Sequence, residues 1–168
     1  PGKAIIMSYP VNEEGETGGH GTHVAGTVAG STDQLANDNG MAPSAKLAFF
    51  DIGFAGQPYL DVPGDLATQM FPYAARVGAR IHSNSWGSDS NSYTGDARQT
   101  DQYSYDNQDF LVLVAAGNSG TDEAGNQVSG SLGAPATAKN CVSVGATQNG
   151  DDANDLARHL DRSEIDAL

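Results

Sequence analysis

Apolar runs separated by glycine-rich and polar stretches divide the chain into alternating strand and helix signals. Lys3–Tyr9 (KAIIMSY), Lys46–Ile52 (KLAFFDI) and Arg80–Ser85 read as strands, the last in spite of the polar His82 and Asn84. Phe110–Ala116 (FLVLVAA) is a continuous apolar run, the pattern of a strand buried on both faces of a parallel sheet. Cys141–Ala146 (CVSVGA) predicts one more buried strand. Between them, His20–Gly30 predicts a helix, and so does Gly64–Gly78, where Leu66, Met70, Tyr73, Ala74 and Val77 recur at helical spacing. Val11–Gly18 is a polar, Glu-rich loop, and Ser88–Asp109 predicts loop followed by a surface helix. Strands alternating with helices predict an α/β fold on a mostly parallel β-sheet, with helices on both faces. From Asp151 the chain turns charged (DDANDLARHLDRSEID). Residues 1–150 are therefore expected to form the domain and 151–168 a helical surface insertion or tail.

Composition narrows the function classes. The 21 acidic residues against 8 basic ones give a formal charge of −13. Nucleic-acid binding through phosphates needs clustered Lys and Arg, and is excluded as an expectation. An acidic surface favours solubility and repels anionic partners. No stretch of apolar residues is long enough to span a bilayer, and no signal peptide is recognisable. The single cysteine, Cys141, allows no internal disulfide and leaves the redox compartment open.

Three short segments carry candidate chemistry. Gly19–Gly30 (GHGTHVAGTVAG) places His20 at the mouth of a helix. The partial positive charge of a helix N-terminus disfavours a protonated imidazole there, which suits a general base working near neutral pH. Repeated glycine inside the helix costs about 1 kcal/mol per position relative to Ala, so close packing or a ligand is expected to repay it. An ordinary helix-capping histidine is the plainer alternative. His20 and His23 could also serve a metal, with Glu13, Glu14 and Glu16 upstream. A zinc helix more usually spaces its histidines four apart with a glutamate between them.

Val114–Gly120 (VAAGNSG) ends an apolar strand in small residues and then Asn118. Small residues admit a peptide backbone, and an amide at a strand end can donate a hydrogen bond to a developing oxyanion; a simple polar turn is the alternative. Asn84–Gly87 (NSWG) ends another strand. Two further segments are Asn39–Ala45 (NGMAPSA) and Gly133–Ala146 (GAPATAKNCVSVGA).

Taken in this order, the segments resemble the subtilisin-like serine proteases. The resemblance runs from about Lys3 to Thr147 and is carried above all by HGTHVAGT and AAGN. It implies that His20 is the catalytic base, His23 a structural residue and Asn118 the oxyanion donor. It further implies that Ser85, Trp86 and Gly87, together with Ala115, Ala116 and Gly117, flank the substrate backbone. Gly133 would line the floor of the specificity pocket, and Pro135 would follow a cis peptide bond. His20 and Asn118 are expected to meet at the carboxyl ends of the strands, where open α/β sheets form sites. The family's substrates are polypeptides. Calcium is common in the family, but no site for it can be assigned here, and no other cofactor or metal is implied. A secreted or extracellular location follows from the resemblance alone.

Two members of an Asp–His–Ser triad are not found in the expected context. Residues 1–19 contain no aspartate, and no serine stands in a GTS-x-A context. Asp51 in FFDIG imitates a catalytic aspartate but follows His20 rather than preceding it, and reads as a loop aspartate. The chain is thus expected to be a central piece of the catalytic domain, incomplete at both ends and inactive alone. A non-catalytic peptide-binding protein and a metal-dependent hydrolase using His20 and His23 are the rival readings.

Overall fold

The computed structural model describes residues 19–31, 39–53, 59–122 and 124–146. The expected strand Lys3–Tyr9, the upstream glutamates and the expected tail 151–168 lie outside the described residues. Within them the element order is α1 (His20–Ala29), α2 (Leu66–Gln69), α3 (Phe71–Arg76), β1 (Ile81–Asn84), α4 (Gly95–Asp106), β2 (Leu111–Ala115) and β3 (Val142–Val144). The class is α/β, as the alternation of strand and helix signals predicts.

The three strands form one parallel sheet in the order β1-β2-β3. Ile81 pairs with Leu111 and Asn84 with Val114, while Leu113 pairs with Val142 and Ala115 with Val144. Because side chains alternate across a strand, His82, Asn84, Val112 and Val114 share one face. Val112 and Val114 are buried there, in one core cluster with Leu66, Met70, Phe71 and Tyr103 of the helical layer and Phe110 just before β2. Phe71 lies 5.1 Å from Tyr103 and 5.0 Å from His82, ring centre to ring centre. Burying such a side chain is worth about 1.5–3 kcal/mol, so this aromatic group helps to hold the helices on the sheet.

Burial of β2 and β3 on both faces, expected from their apolar sequences, is not seen among the described residues. Ile81, Leu111, Val142 and Val144 remain exposed on the sheet. The described helices α2, α3 and α4 supply the layer over the Val112–Val114 face, and burial needs a covering layer, not only an apolar strand.

Two further expectations are corrected. Gly64–Gly78 is not one helix but two, broken at Met70. Pro72 stands in the first turn of α3; it has no N–H for a carbonyl one turn back and is tolerated only where a helix begins. Asp65 caps α2 by accepting hydrogen bonds from Ala67 and Thr68. Lys46–Ile52 forms no ladder with a described neighbour, only an isolated bridge between Gly53 and Leu60 beyond it. Phe50 and Ile52 of this segment still pack against the core.

Of the glycines within the first helix, Gly21 has a packing reason, since a Cβ there would lie 2.7 Å from Phe49 Cζ, whereas one on Gly26 would meet nothing within 4 Å. The amides of Gly40, Met41 and Ala42 donate to the carbonyls of Gly30, Thr27 and Val28, closing the end of α1 with orphan carbonyls satisfied. A Cβ on Gly40 would lie 2.5 Å from the Gly26 carbonyl oxygen. The NGMAPSA segment is therefore the C-terminal cap of the helix that carries His20.

Candidate active site

His20 is the first residue of α1 and exposed, behind Gly19 with φ 86°. His23 is also exposed, and its amide donates to the Gly19 carbonyl. Both histidines stand in the first turns of the helix. Among the described residues no group of three or more metal-binding side chains gathers around them or elsewhere. Asp51 accepts from the Gly53 amide at 2.8 Å, a local turn contact fitting a loop aspartate.

The carboxyl ends of β1 and β2 lie side by side, because Asn84 pairs with Val114 at the end of the ladder. Ser85–Gly87 and Ala115–Gly117 continue from these neighbouring ends. The segment 133–135 is stitched to both of them. Gly133 donates to the Ala116 carbonyl at 3.0 Å, Ser88 donates to the Ala134 carbonyl at 2.8 Å, and Ala134 donates to the Ser90 carbonyl at 2.8 Å. The peptide bond between Ala134 and Pro135 is cis, as the positional match predicts. Asn118 is exposed, three residues beyond the end of β2.

Gly133 does not leave open volume on its side-chain side, as a glycine at a pocket floor would. A Cβ there would collide with the Ser88 carbonyl oxygen, and one on Gly87 would lie 2.8 Å from the Ala134 carbonyl oxygen. These glycines let three backbone segments approach each other. Trp86 is half-buried against the core, and its indole N–H donates to Asn84 Oδ1 at 3.2 Å. Asn84 is 3 % exposed and also donates through Nδ2 to the Leu113 carbonyl at 3.1 Å. The Trp86 ring is thus tied to the fold.

A small apolar hollow opens on the core side, lined by Phe49, Phe50, Met70, Tyr73, Val77 and His82. Burial pushes the His82 imidazole down to about pKa 4, against a hydrogen bond with Asn84 that raises it. Its Nδ1 has no hydrogen-bond partner. This histidine is a neutral core residue.

The sequence reading missed the polar side chains that hold this arrangement, Asn84, Asp101, Thr137 and Ser143. Nothing in their local pattern separates them from surface polar residues; their partners are up to 45 residues away in the chain.

The profile of the subtilase family (peptidase S8) matches residues 6–164. The chain belongs to this family. It is 39 % identical over 139 residues to the serine protease/ABC transporter B family protein tagD of Dictyostelium discoideum, covering 77 % of this chain and 7 % of that protein. It is 38 % identical over 151 residues to tagB of the same organism, covering 84 % of this chain and 7 % of the relative. With Subtilisin Savinase of Lederbergia lenta it shares 33 % identity over 149 residues, which is 87 % of this chain and 48 % of that protein. The chain therefore spans a small part of the Dictyostelium relatives and about half of a subtilisin. The chain is homologous to subtilisin serine endopeptidases. Among the described residues no helix is long and apolar enough to cross a membrane.

Proposed function

We propose that this subtilase segment is the central part of a serine endopeptidase catalytic domain, acting on polypeptides through an acyl-enzyme. His20 takes the proton of the serine nucleophile and returns it to the leaving amine. Asn118 donates to the oxyanion of the tetrahedral intermediate. Ser85–Gly87 and Ala115–Gly117 pair with the substrate backbone on either side, and main-chain pairing of this kind gives affinity without strict sequence preference. The aspartate and serine of the triad are supplied by sequence outside the 168 residues, so the segment alone hydrolyses nothing. A location outside the cell accords with the resemblance to subtilisins.

The observation that carries this reading is the side-by-side exit of Ser85–Gly87 and Ala115–Gly117 from two adjacent parallel strands, with Gly133 hydrogen-bonded to Ala116. In this reading the two exits flank the substrate backbone at the carboxyl edge of the sheet, where open α/β sheets form sites. The test uses the full-length protein carrying this segment, with casein as substrate and a serine-reactive phosphonate as label. Hydrolysis and labelling are expected, both lost in His20→Ala. Hydrolysis abolished by a chelator but indifferent to the phosphonate would replace this reading with the metal-dependent one.

A further inference from the structure

Asp101, on α4, makes contacts that the protease chemistry does not require. One carboxylate oxygen accepts from two successive backbone amides, Lys139 at 2.7 Å and Asn140 at 2.6 Å. The other accepts from the Tyr93 hydroxyl at 2.6 Å. The Asn140 side-chain amide donates back to the Asp101 carbonyl at 3.2 Å. A carboxylate on a solvated helix face would hold water at these positions. Here it is engaged by a loop 38 and 39 residues farther along the chain. Lys139 Nζ stands 5.1 Å from the Tyr93 ring centre, so the lysine charge and the phenol close over the same contact. The Tyr93 phenol is raised above its ordinary pKa, chiefly by its hydrogen bond to Asp101.

The turn gripped by Asp101 continues into the segment beside the proposed substrate groove. Ala138 donates to the Pro135 carbonyl and Ala136 to the Gly133 carbonyl, each at 2.9 Å. Thr137 Oγ1 donates to the Ser92 carbonyl at 3.0 Å and Ser143 Oγ to the Ala136 carbonyl at 2.6 Å. Gly133 and Ala134 then meet Ala116, Ser88 and Ser90 through the backbone bonds already described.

We propose that Asp101 is a positioning residue for the substrate groove: it fixes the Lys139–Asn140 turn and, through it, holds Gly133–Pro135 against the ends of β1 and β2. The proposal rests on the protease reading. Asp101 touches no substrate in this scheme. Its effect is on where the groove wall stands, and hence on how well the side chain before the scissile bond is received.

The experiment uses the full-length protein carrying this segment, with Asp101→Ala, Asp101→Asn and Asp101→Glu. Asn keeps an acceptor oxygen for the two amides, whereas Glu keeps the charge and displaces it by one methylene; Glu also serves if the Ala variant fails to fold. Amide exchange at Lys139 and Asn140 is read alongside kcat and KM for peptides differing only in the residue before the cut. Exchange about tenfold faster or more is expected for Ala and Glu, since the acceptor of the two amides is removed in one and displaced in the other. KM should rise about three- to tenfold for large side chains, with kcat changed less than about twofold, and Asn should restore most of both. Unchanged exchange, or a wild-type protein that cleaves peptides with the same constants as Asp101→Ala, overturns the proposal. So does an Asn variant no better than Ala. A wild-type protein that cleaves no peptide overturns the protease reading, and the substrate role of Asp101 with it.

Discussion

The carbonyl oxygen of Ser88 occupies the space into which a Cβ on Gly133 would project. Both atoms belong to backbone already fixed by hydrogen bonds, from Gly133 to Ala116 and from Ser88 to Ala134. Neither can give way as a flexible side chain would. Gly133→Ala is therefore expected to destabilise the domain by about 1–3 kcal/mol, the range of overpacking in a well-packed interior. Urea denaturation checks this: the midpoint should fall, and an unchanged midpoint would show that the three backbone segments are not in close contact.

Asn84 is expected to matter more than a polar residue on a short strand usually does. It donates to the Leu113 carbonyl across the β1–β2 ladder and accepts from the Trp86 indole. Asn84→Ala leaves both partners without it in a half-buried setting, a loss of about 1–3 kcal/mol. Asn84→Asp should be worse, because it keeps the acceptor for Trp86 but buries a charge and removes the donor. Trp86 is the single tryptophan of the chain, so its fluorescence reports directly. A red shift in both variants is the expected result, and an unshifted spectrum would count against the bond.

His82 predicts an acid limb in stability. Its pKa is about 4 in the folded protein against an ordinary value of 6.5, because burial disfavours the charged ring. The unfolded chain therefore binds a proton first as pH falls. Stability is full above about pH 6.5, declines from there to about pH 4, and loses no more from this group below that. The whole loss is on the order of 3 kcal/mol. His82→Leu should flatten the decline across this window in chemical denaturation measured from pH 8 to 4. An equally steep decline in the variant would assign the acid limb to other groups.

In the full-length protein, Asn118→Ala and His20→Ala should differ in kind. Asn118 is proposed to bond only the oxyanion, which exists after attack, so its removal lowers kcat and leaves KM nearly unchanged. His20→Ala removes proton transfer and should cost at least about 100-fold in kcat. Asn118→Ala raising KM with kcat intact would place that residue in ground-state binding.

Selectivity is expected to be broad. Ala115–Gly117, Ser85 and Gly87 are small and uncharged, and none offers a carboxylate to a basic side chain. An apolar site discriminates by about 1–3 kcal/mol per methylene. A peptide-library digest with the full-length protein should show cleavage after large apolar or aromatic residues. Dominant cleavage after Lys or Arg would overturn this expectation.

The sequence by itself determined the class of the fold and the order of its landmarks. An apolar run such as Phe110–Ala116 can satisfy its backbone and bury its side chains only as a strand in a sheet. HGTHVAGT and AAGN were legible for a different reason: close backbone approach and helix-end chemistry restrict the residue types locally, within a few positions. The break at Met70 was also written locally, in Pro72, but helical spacing concealed it.

Tertiary structure alone decided the rest. Whether β3 is buried depends on which layer covers it, and no property of CVSVGA encodes that layer. Whether Lys46–Ile52 is a strand depends on a ladder partner elsewhere in the chain. Gly133 looked like room for a side chain and proved to be room for the Ser88 carbonyl, a contact between segments 45 residues apart. Asp101 lies within the stretch read as loop and surface helix, and nothing in that stretch signals its partners. Its two backbone partners lie in a loop that only the folded chain brings to α4, because hydrogen bonds depend on distance in space and not on distance in sequence.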